Sequence, residues 1–184
     1  MTKFAGLDWS MSSPGLAIGD EKYVTFYGIR QKKKQTSTDA NVILLEPNKV
    51  YSSDVERYYL LAKTYIDICL ANGVTDIFME GYAYGAVGNT FNIGECTGIL
   101  KLELWKAGIN LEILQPSEVK KFATGKGNAN KTAMFDAYVE KTWHRMDKAV
   151  DDERVGDKIP SPVNDMIDAY WLLACGISKN RLEI

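Results

Sequence analysis

The chain has 184 residues, 46% hydrophobic and 25% charged, which suffices for one globular domain with a full core and no need of covalent staples. One histidine, His144, and three scattered cysteines, Cys69, Cys96 and Cys175, offer neither the ligand set of a zinc site nor a disulfide framework, so the thiols read as reduced and structural. The net charge of −2 argues mildly against nucleic acid on totals alone, although basic residues gather at residues 30–34 (RQKKK) and between Lys120 and Lys131, and acids at Asp151, Asp152 and Glu153.

Residues 3–9 (KFAGLDW), 14–19 (PGLAIG) and 23–29 (YVTFYGI) are short, rich in β-formers and bounded by turn residues, which predicts three strands in an antiparallel meander. Residues 31–48 carry Lys, Gln, Thr, Ser, Asn and Pro and read as a long surface connection. Beyond them Val55, Tyr58, Tyr59, Ala62, Tyr65, Ile66 and Cys69 recur at helical spacing, with Ser52 or Ser53 as cap and Gly73 as stop.

Residues 74–79 (VTDIFM) read as a buried strand, residues 81–88 as a Gly-rich loop, and residues 90–106 as a helix ended by Gly108. A strand over residues 109–114 (INLEIL) follows, then a short helix opened by Pro116, a polar loop over 124–130, and a helix through Ala133, Tyr138 and Trp143 that runs toward Asp147. The acidic stretch 147–157 reads as mobile. The last helix covers 162–177, with Ser161 as N-cap and Pro162 at the first helical position, where its missing N–H costs nothing.

No repeat or linker divides this order, which predicts one α/β domain over residues 1–184 with a five-stranded mixed sheet, three antiparallel strands and then parallel ones, flanked by helices. No apolar run approaches the roughly 20 residues that span a bilayer. The chain is therefore expected in the cytoplasm, or the host cytoplasm for a phage-encoded chain, without a membrane partner.

The acids carry the chemistry. Asp8 lies inside an apolar strand, where an uncompensated charge would cost several kcal/mol, and Glu80 ends a second buried-type strand just before Gly81. Asp165 and Asp168 sit three residues apart on one helical face, beside the apolar Ile167, Tyr170, Trp171 and Ala174. Each acid alone also has a structural reading: Asp8 capping a turn, Glu80 as an ordinary strand end, Asp165 and Asp168 favoured by the helix N-terminus. Together the four make an oxygen-rich set that suits Mg²⁺ or Mn²⁺. A pair of such ions about 4 Å apart can activate water and stabilise the leaving oxygen of a phosphodiester.

The opening Gly6-Leu7-Asp8, Glu80 at the end of its strand, and Asp165-Met166-Ile167-Asp168 at the start of the last helix resemble, in order and spacing, the RuvC family of Holliday-junction resolvases. The resemblance covers nearly the whole chain. It implies an RNase H-like fold, a homodimer, and cleavage of four-way and other branched DNA by two-metal hydrolysis. Asp8, Glu80, Asp165 and Asp168 would then be the catalytic, metal-binding set, with Mg²⁺ as cofactor, Mn²⁺ as substitute and two ions per site.

The same resemblance implies DNA-binding lysines after the fifth strand, for which Lys120, Lys121 and Lys131 stand in place, and an aromatic wedge after the second acid, for which Tyr82 and Tyr84 are candidates and Phe91 a third. The family has Pro-Gly directly after its first acid; here Trp9-Ser10 follows Asp8 and Pro14-Gly15 comes later. Residues 125–132 approach a nucleotide-binding loop, but Asn130 replaces its second glycine and too few strands remain, so no nucleotide cofactor is expected. Residues 6–15 are also similar to the first phosphate loop of actin-like sugar kinases, which need two such domains. The competing readings are an RNase H-type, flap or debranching nuclease on the same fold, or a non-catalytic nucleic-acid-binding module.

Overall fold

The structure, a computed structural model, describes residues 3–20, 22–47, 50–81 and 90–182. Strands β1 (Lys3–Asp8), β2 (Gly15–Gly19) and β3 (Val24–Ile29) form the expected antiparallel meander, followed by β4 (Val42–Leu45), helix α1 (Asp54–Ala71), β5 (Val74–Glu80), α2 (Thr90–Ala107) and β6 (Asn110–Leu114). Four helices close the chain: α3 (Pro116–Thr124), α4 (Lys131–Thr142), α5 (Met146–Ala149) and α6 (Val163–Leu182). The strand order is β4-β3-β2-β1-β5-β6, with β5 parallel to β1 and β6 parallel to β5.

The sheet therefore has six strands where five were expected. The sixth, β4, lies in the stretch read as surface connection: the apolar tetrad Val42-Ile43-Leu44-Leu45 pairs in parallel with β3 and buries Val42, a local signal that the polar composition of its surroundings diluted.

The period-2 alternation of strands divides the core. Ala5, Leu7, Leu16, Ile18, Ile77 and Met79 face α1 and α2, meeting Leu61, Ala62, Tyr65, Leu100 and Leu104. Phe4, Ala17, Phe26 and Phe78 face α6, which is buried nearly all round because α3, α4 and α5 cover its far side. Asp8 has the parity of Phe4, and Glu80 that of Phe78. Both strand-end acids thus belong to the face that α6 occupies.

Small residues let α6 come close. A Cβ on Gly6 would collide with the backbone carbonyl of Ala169, and one on Gly15 with that of Asp165, so the first turns of α6 lie directly on β1 and β2. Gly15 is also the cross-strand partner of Asp8.

Helix ends follow the expected chemistry at several points. Ser53 caps α1 by accepting from the Glu56 N–H at 3.2 Å, and Ser52 hydrogen-bonds the Glu56 carboxylate in return. Asn130 caps α4 by accepting from the Ala133 N–H at 2.9 Å, which accounts for the phosphate-loop-like residues 125–132 as a helix entry. Ser161 and Pro162 do not open α6 as expected: the helix starts at Val163, and the Ser161 hydroxyl turns to the Asp165 carboxylate instead of a backbone N–H. Helix α4 stops at Thr142, short of the expected end, because Trp143 takes the left-handed conformation at φ 58°.

The acidic stretch 147–157 is anchored, not loose. Asp147 is fully buried against Arg145 (2.6 Å), and Asp152 is buried between Lys32 (2.7 Å), Lys34 (3.0 Å) and Gln35 (2.9 Å). Half of the basic cluster at residues 30–34 is thereby engaged within the protein, and Arg30 pairs with Glu46. The three cysteines are free and buried, as expected. Among the described residues no helix is long and apolar enough to cross a membrane.

Candidate active site

The strand register brings the acids of separate segments together. Gly6 pairs with Phe78 and Leu7 with Met79, and the same parallel register carried one residue further sets Asp8 beside Glu80 at the ends of β1 and β5. On the other side of β1, Asp8 is opposite Gly15, over which the Asp165 backbone lies. Asp168 follows one turn along α6. Asp8, Asp165 and Asp168 are partly buried, and Glu80 is the most open of the four.

The charges of neighbouring acids act on Asp8 and on Asp168. Burial holds the Asp8 carboxyl well above the ordinary range, and the charges of Asp168, Asp165 and Glu80 push it further, against the pull of Lys131. Burial is likewise the main cause that pushes Asp168 up to about 7; Lys131 opposes it, Glu80 and Asp165 add to it, and a 2.9 Å hydrogen bond from Asn164 opposes it. Desolvation raises Glu80 too, against Lys120 and Lys131. Carboxyls that burial and neighbouring acids hold against ionisation, as at Asp8 and Asp168, are ones that a nearby cation would favour in the charged form.

Hydrogen bonds fix two of the acids. Asp165 Oδ2 accepts from Ser13 Oγ at 2.9 Å and from Ser161 Oγ, while Asp168 Oδ2 accepts from Asn164. Both α6 acids thus draw on a residue four positions earlier; for Asn164 and Asp168 that spacing places the side chains on one helical face, while Ser161 lies in the turn before the helix. As the side chains stand, no three acidic, histidine or cysteine residues among the described residues are grouped closely enough to hold a metal ion. The donor chemistry still suits a hard divalent cation: the four acids offer carboxylate oxygens, and among the described residues none of them has a cationic partner as close as a salt bridge.

Of the expected DNA-binding residues, Lys131 at the start of α4 and Lys120 in α3 lower the acids' pKa values, and Lys121 is exposed beside Lys120. Tyr82 and Tyr84 lie outside the described residues. Phe91 stands 86% exposed on the first turn of α2. Sequence reasoning passed over Ser13 and Asn164 and read Ser161 only as a helix cap. The i,i+4 pairs Ser161/Asp165 and Asn164/Asp168 carried a readable signal; Ser13 lies 152 residues from its partner and carried none.

No protein-family model and no curated protein sequence matches the chain. Solved structures do. RuvC of Thermus thermophilus in complex with a Holliday junction substrate superposes with a TM-score of 0.65 at 15% identity, over 100% of this chain and 97% of that one. Another structure of Thermus thermophilus RuvC gives 0.58 at 14% identity over 99% and 97%. The yeast mitochondrial Holliday junction resolvase Ydc2 gives 0.55 at 12% identity over 95% of this chain and 77% of that one. End to end, this chain has the RuvC-like resolvase fold.

Proposed function

We propose that this protein is a structure-selective endodeoxyribonuclease that resolves four-way and other branched DNA. The observation that carries the reading is geometric: Asp8 ends the central strand β1, Glu80 ends the neighbouring parallel strand β5, and the start of α6 with Asp165 packs onto Gly15, the cross-strand partner of Asp8. A fold of this kind supports many functions, so the argument rests on that site and not on the fold alone.

Asp8, Glu80, Asp165 and Asp168 would hold Mg²⁺, with Mn²⁺ as a substitute and two ions per site. Bound there, the ions would supply an activated water and neutralise charge on a phosphodiester in transfer. The chain's own residues do the rest. Lys120 and Lys131 place positive charge beside the acids, where the phosphates flanking the cut strand need it, and Lys121 extends that charge along α3. The apolar core beneath Asp8 and Asp168 lowers the dielectric on the inner side of the cluster.

Paired cuts on a junction call for a second copy of the chain. The outer side of α2 supports a homodimer: Phe91, Leu102 and Trp105 are 86%, 49% and 78% exposed, and a Cβ added at Gly94 or Gly98 would meet open space. An exposed aromatic stripe of this kind on a helix marks an association surface.

The test incubates the purified chain and Mg²⁺ with a four-way junction, a three-way branch, a linear duplex and an RNA–DNA hybrid. Paired incision of the branched substrates is expected, with Asp8→Asn and Glu80→Gln binding the junction but not cutting it. Preference for the hybrid would make the protein a ribonuclease, and cleavage of nothing in either Mg²⁺ or Mn²⁺ would leave a binding module.

A further inference from the structure

The turn between β1 and β2 departs from the expected Pro-Gly start, and its extra residues have a use. Ser10-Met11-Ser12-Ser13 lengthen the turn before Pro14-Gly15. The Ser10 hydroxyl accepts from the Ser13 N–H at 3.0 Å, and the Pro14 carbonyl accepts from the Tyr65 hydroxyl at 2.5 Å, so the turn is pinned on both sides of Ser13. From there Ser13 Oγ donates to Asp165 Oδ2 at 2.9 Å.

Ser161 reaches the same oxygen from the segment that leads into α6, and the two serine hydroxyls stand 2.9 Å apart. Ser161 is itself tied down: its carbonyl accepts from Gln35 Nε2 at 2.8 Å, and Gln35, fully buried, also donates to Asp152 at 2.9 Å. Two segments far apart in sequence thus place a hydroxyl each on one carboxylate oxygen. Oδ1 of Asp165 receives no hydrogen bond among the described residues.

We infer that Ser13 and Ser161 are positioning residues that fix the rotamer of Asp165 and hold its Oδ1 toward the carboxylate cluster for a divalent cation. The inference rests on the nuclease reading of that cluster. Its physical basis is general: an aspartate free to sample its rotamers must be ordered when it takes up a cation, and a ligand already held by hydrogen bonds avoids that cost. Outer partners of this sort are worth about 10- to 100-fold in metal affinity. Because both hydroxyls act through one carboxylate, their effects are coupled and not additive.

The test titrates Mn²⁺ into the full chain, without DNA, by calorimetry, on the wild type and on Ser13→Ala, Ser161→Ala, Ser13→Thr and Asp165→Asn. Thermal melting of each variant identifies those that fold, and the two serines give independent chances to read the effect. Weakening of Mn²⁺ binding by about tenfold or more is expected for either alanine. Ser13→Thr should restore it, and Ser13→Ala should add nothing in the Asp165→Asn background. In cleavage assays the metal concentration for half-maximal rate should rise while the KM for a junction stays put. Wild-type binding with equal affinity in both alanine variants would overturn the clamp and leave the nuclease reading standing. No Mn²⁺ binding by the wild type would overturn both.

Discussion

Gly15 lies beneath the backbone carbonyl of Asp165, so close that a single methyl group on the glycine would strike that carbonyl. Since Gly15 is also the cross-strand partner of Asp8, this one contact sets the separation between an acid on β1 and an acid on α6. Gly15→Ala should therefore lift the start of α6. Overpacking of this kind costs about 1–3 kcal/mol, which urea denaturation would read as a lower midpoint with an unchanged slope. Cleavage should fall by more than the lost stability explains, because Asp165 moves relative to Asp8.

That contact also shows why part of the site was legible in the sequence and part was not. Asp8, Glu80 and the Asp165/Asp168 pair announce themselves because a charge in an apolar strand, or two on one helical turn, contradicts its local pattern. Gly15 and Ser13 fit their surroundings as ordinary turn residues, and only the packing of a helix 150 residues away gives them meaning. The missed strand β4 has the same origin: Val42 to Leu45 form a clear apolar run, but a four-residue edge strand gains its stability from β3 and not from its own composition. Asp152 read as part of a solvated acidic stretch because its partners Lys32 and Gln35 are more than 100 residues away, whereas Asp147 is held locally by Arg145 and the Arg154 N–H. Tyr82 and Tyr84 belong to residues outside those described.

The raised acids make stability depend on pH in a definite direction. Between the ordinary aspartate value near 3.8 and about 7, Asp168 keeps its proton in the native state and loses it in the unfolded chain, so the native state binds more protons and unfolding becomes easier as pH rises. Asp8 acts in the same sense. The metal-free protein should thus have a lower melting temperature at pH 8 than at pH 6. Asp168→Asn should remove part of the difference, and Mg²⁺ should restore stability at pH 8 by binding the native state alone.

Asp152 works at the acid end. Burial would raise its carboxyl, but hydrogen bonds from Lys32, Lys34 and Gln35 hold it down at about 2. Its contribution is complete above the ordinary value of about 3.8 and disappears as pH falls through 2. Asp152→Asn should flatten the loss of stability below pH 4, and at pH 7 it should lower the urea midpoint.

Lys131 places its charge beside Asp8 and Asp168, and the nuclease proposal gives it a DNA phosphate as a further partner. Lys131→Ala should weaken junction binding about equally across sequences and reduce the salt slope of log K by about 1, as removal of one phosphate contact does. Filter binding between low and moderate salt would show it. A slope equal to the wild type would confine Lys131 to balancing the acids.

The exposed stripe on α2 makes oligomeric state a test of its own. Leu102→Asp with Trp105→Asp should convert a dimer to a monomer in analytical ultracentrifugation without lowering the melting temperature of the subunit, since both side chains point to solvent within one chain. Single nicks should then replace paired incisions.

The most direct measurement is anomalous scattering from crystals of the full chain soaked in Mn²⁺. Peaks within coordination distance of Asp8, Glu80, Asp165 and Asp168 are the expected result. Manganese bound elsewhere, with those four side chains turned away from each other and cleavage intact, would contradict the assignment of this cluster as the catalytic centre.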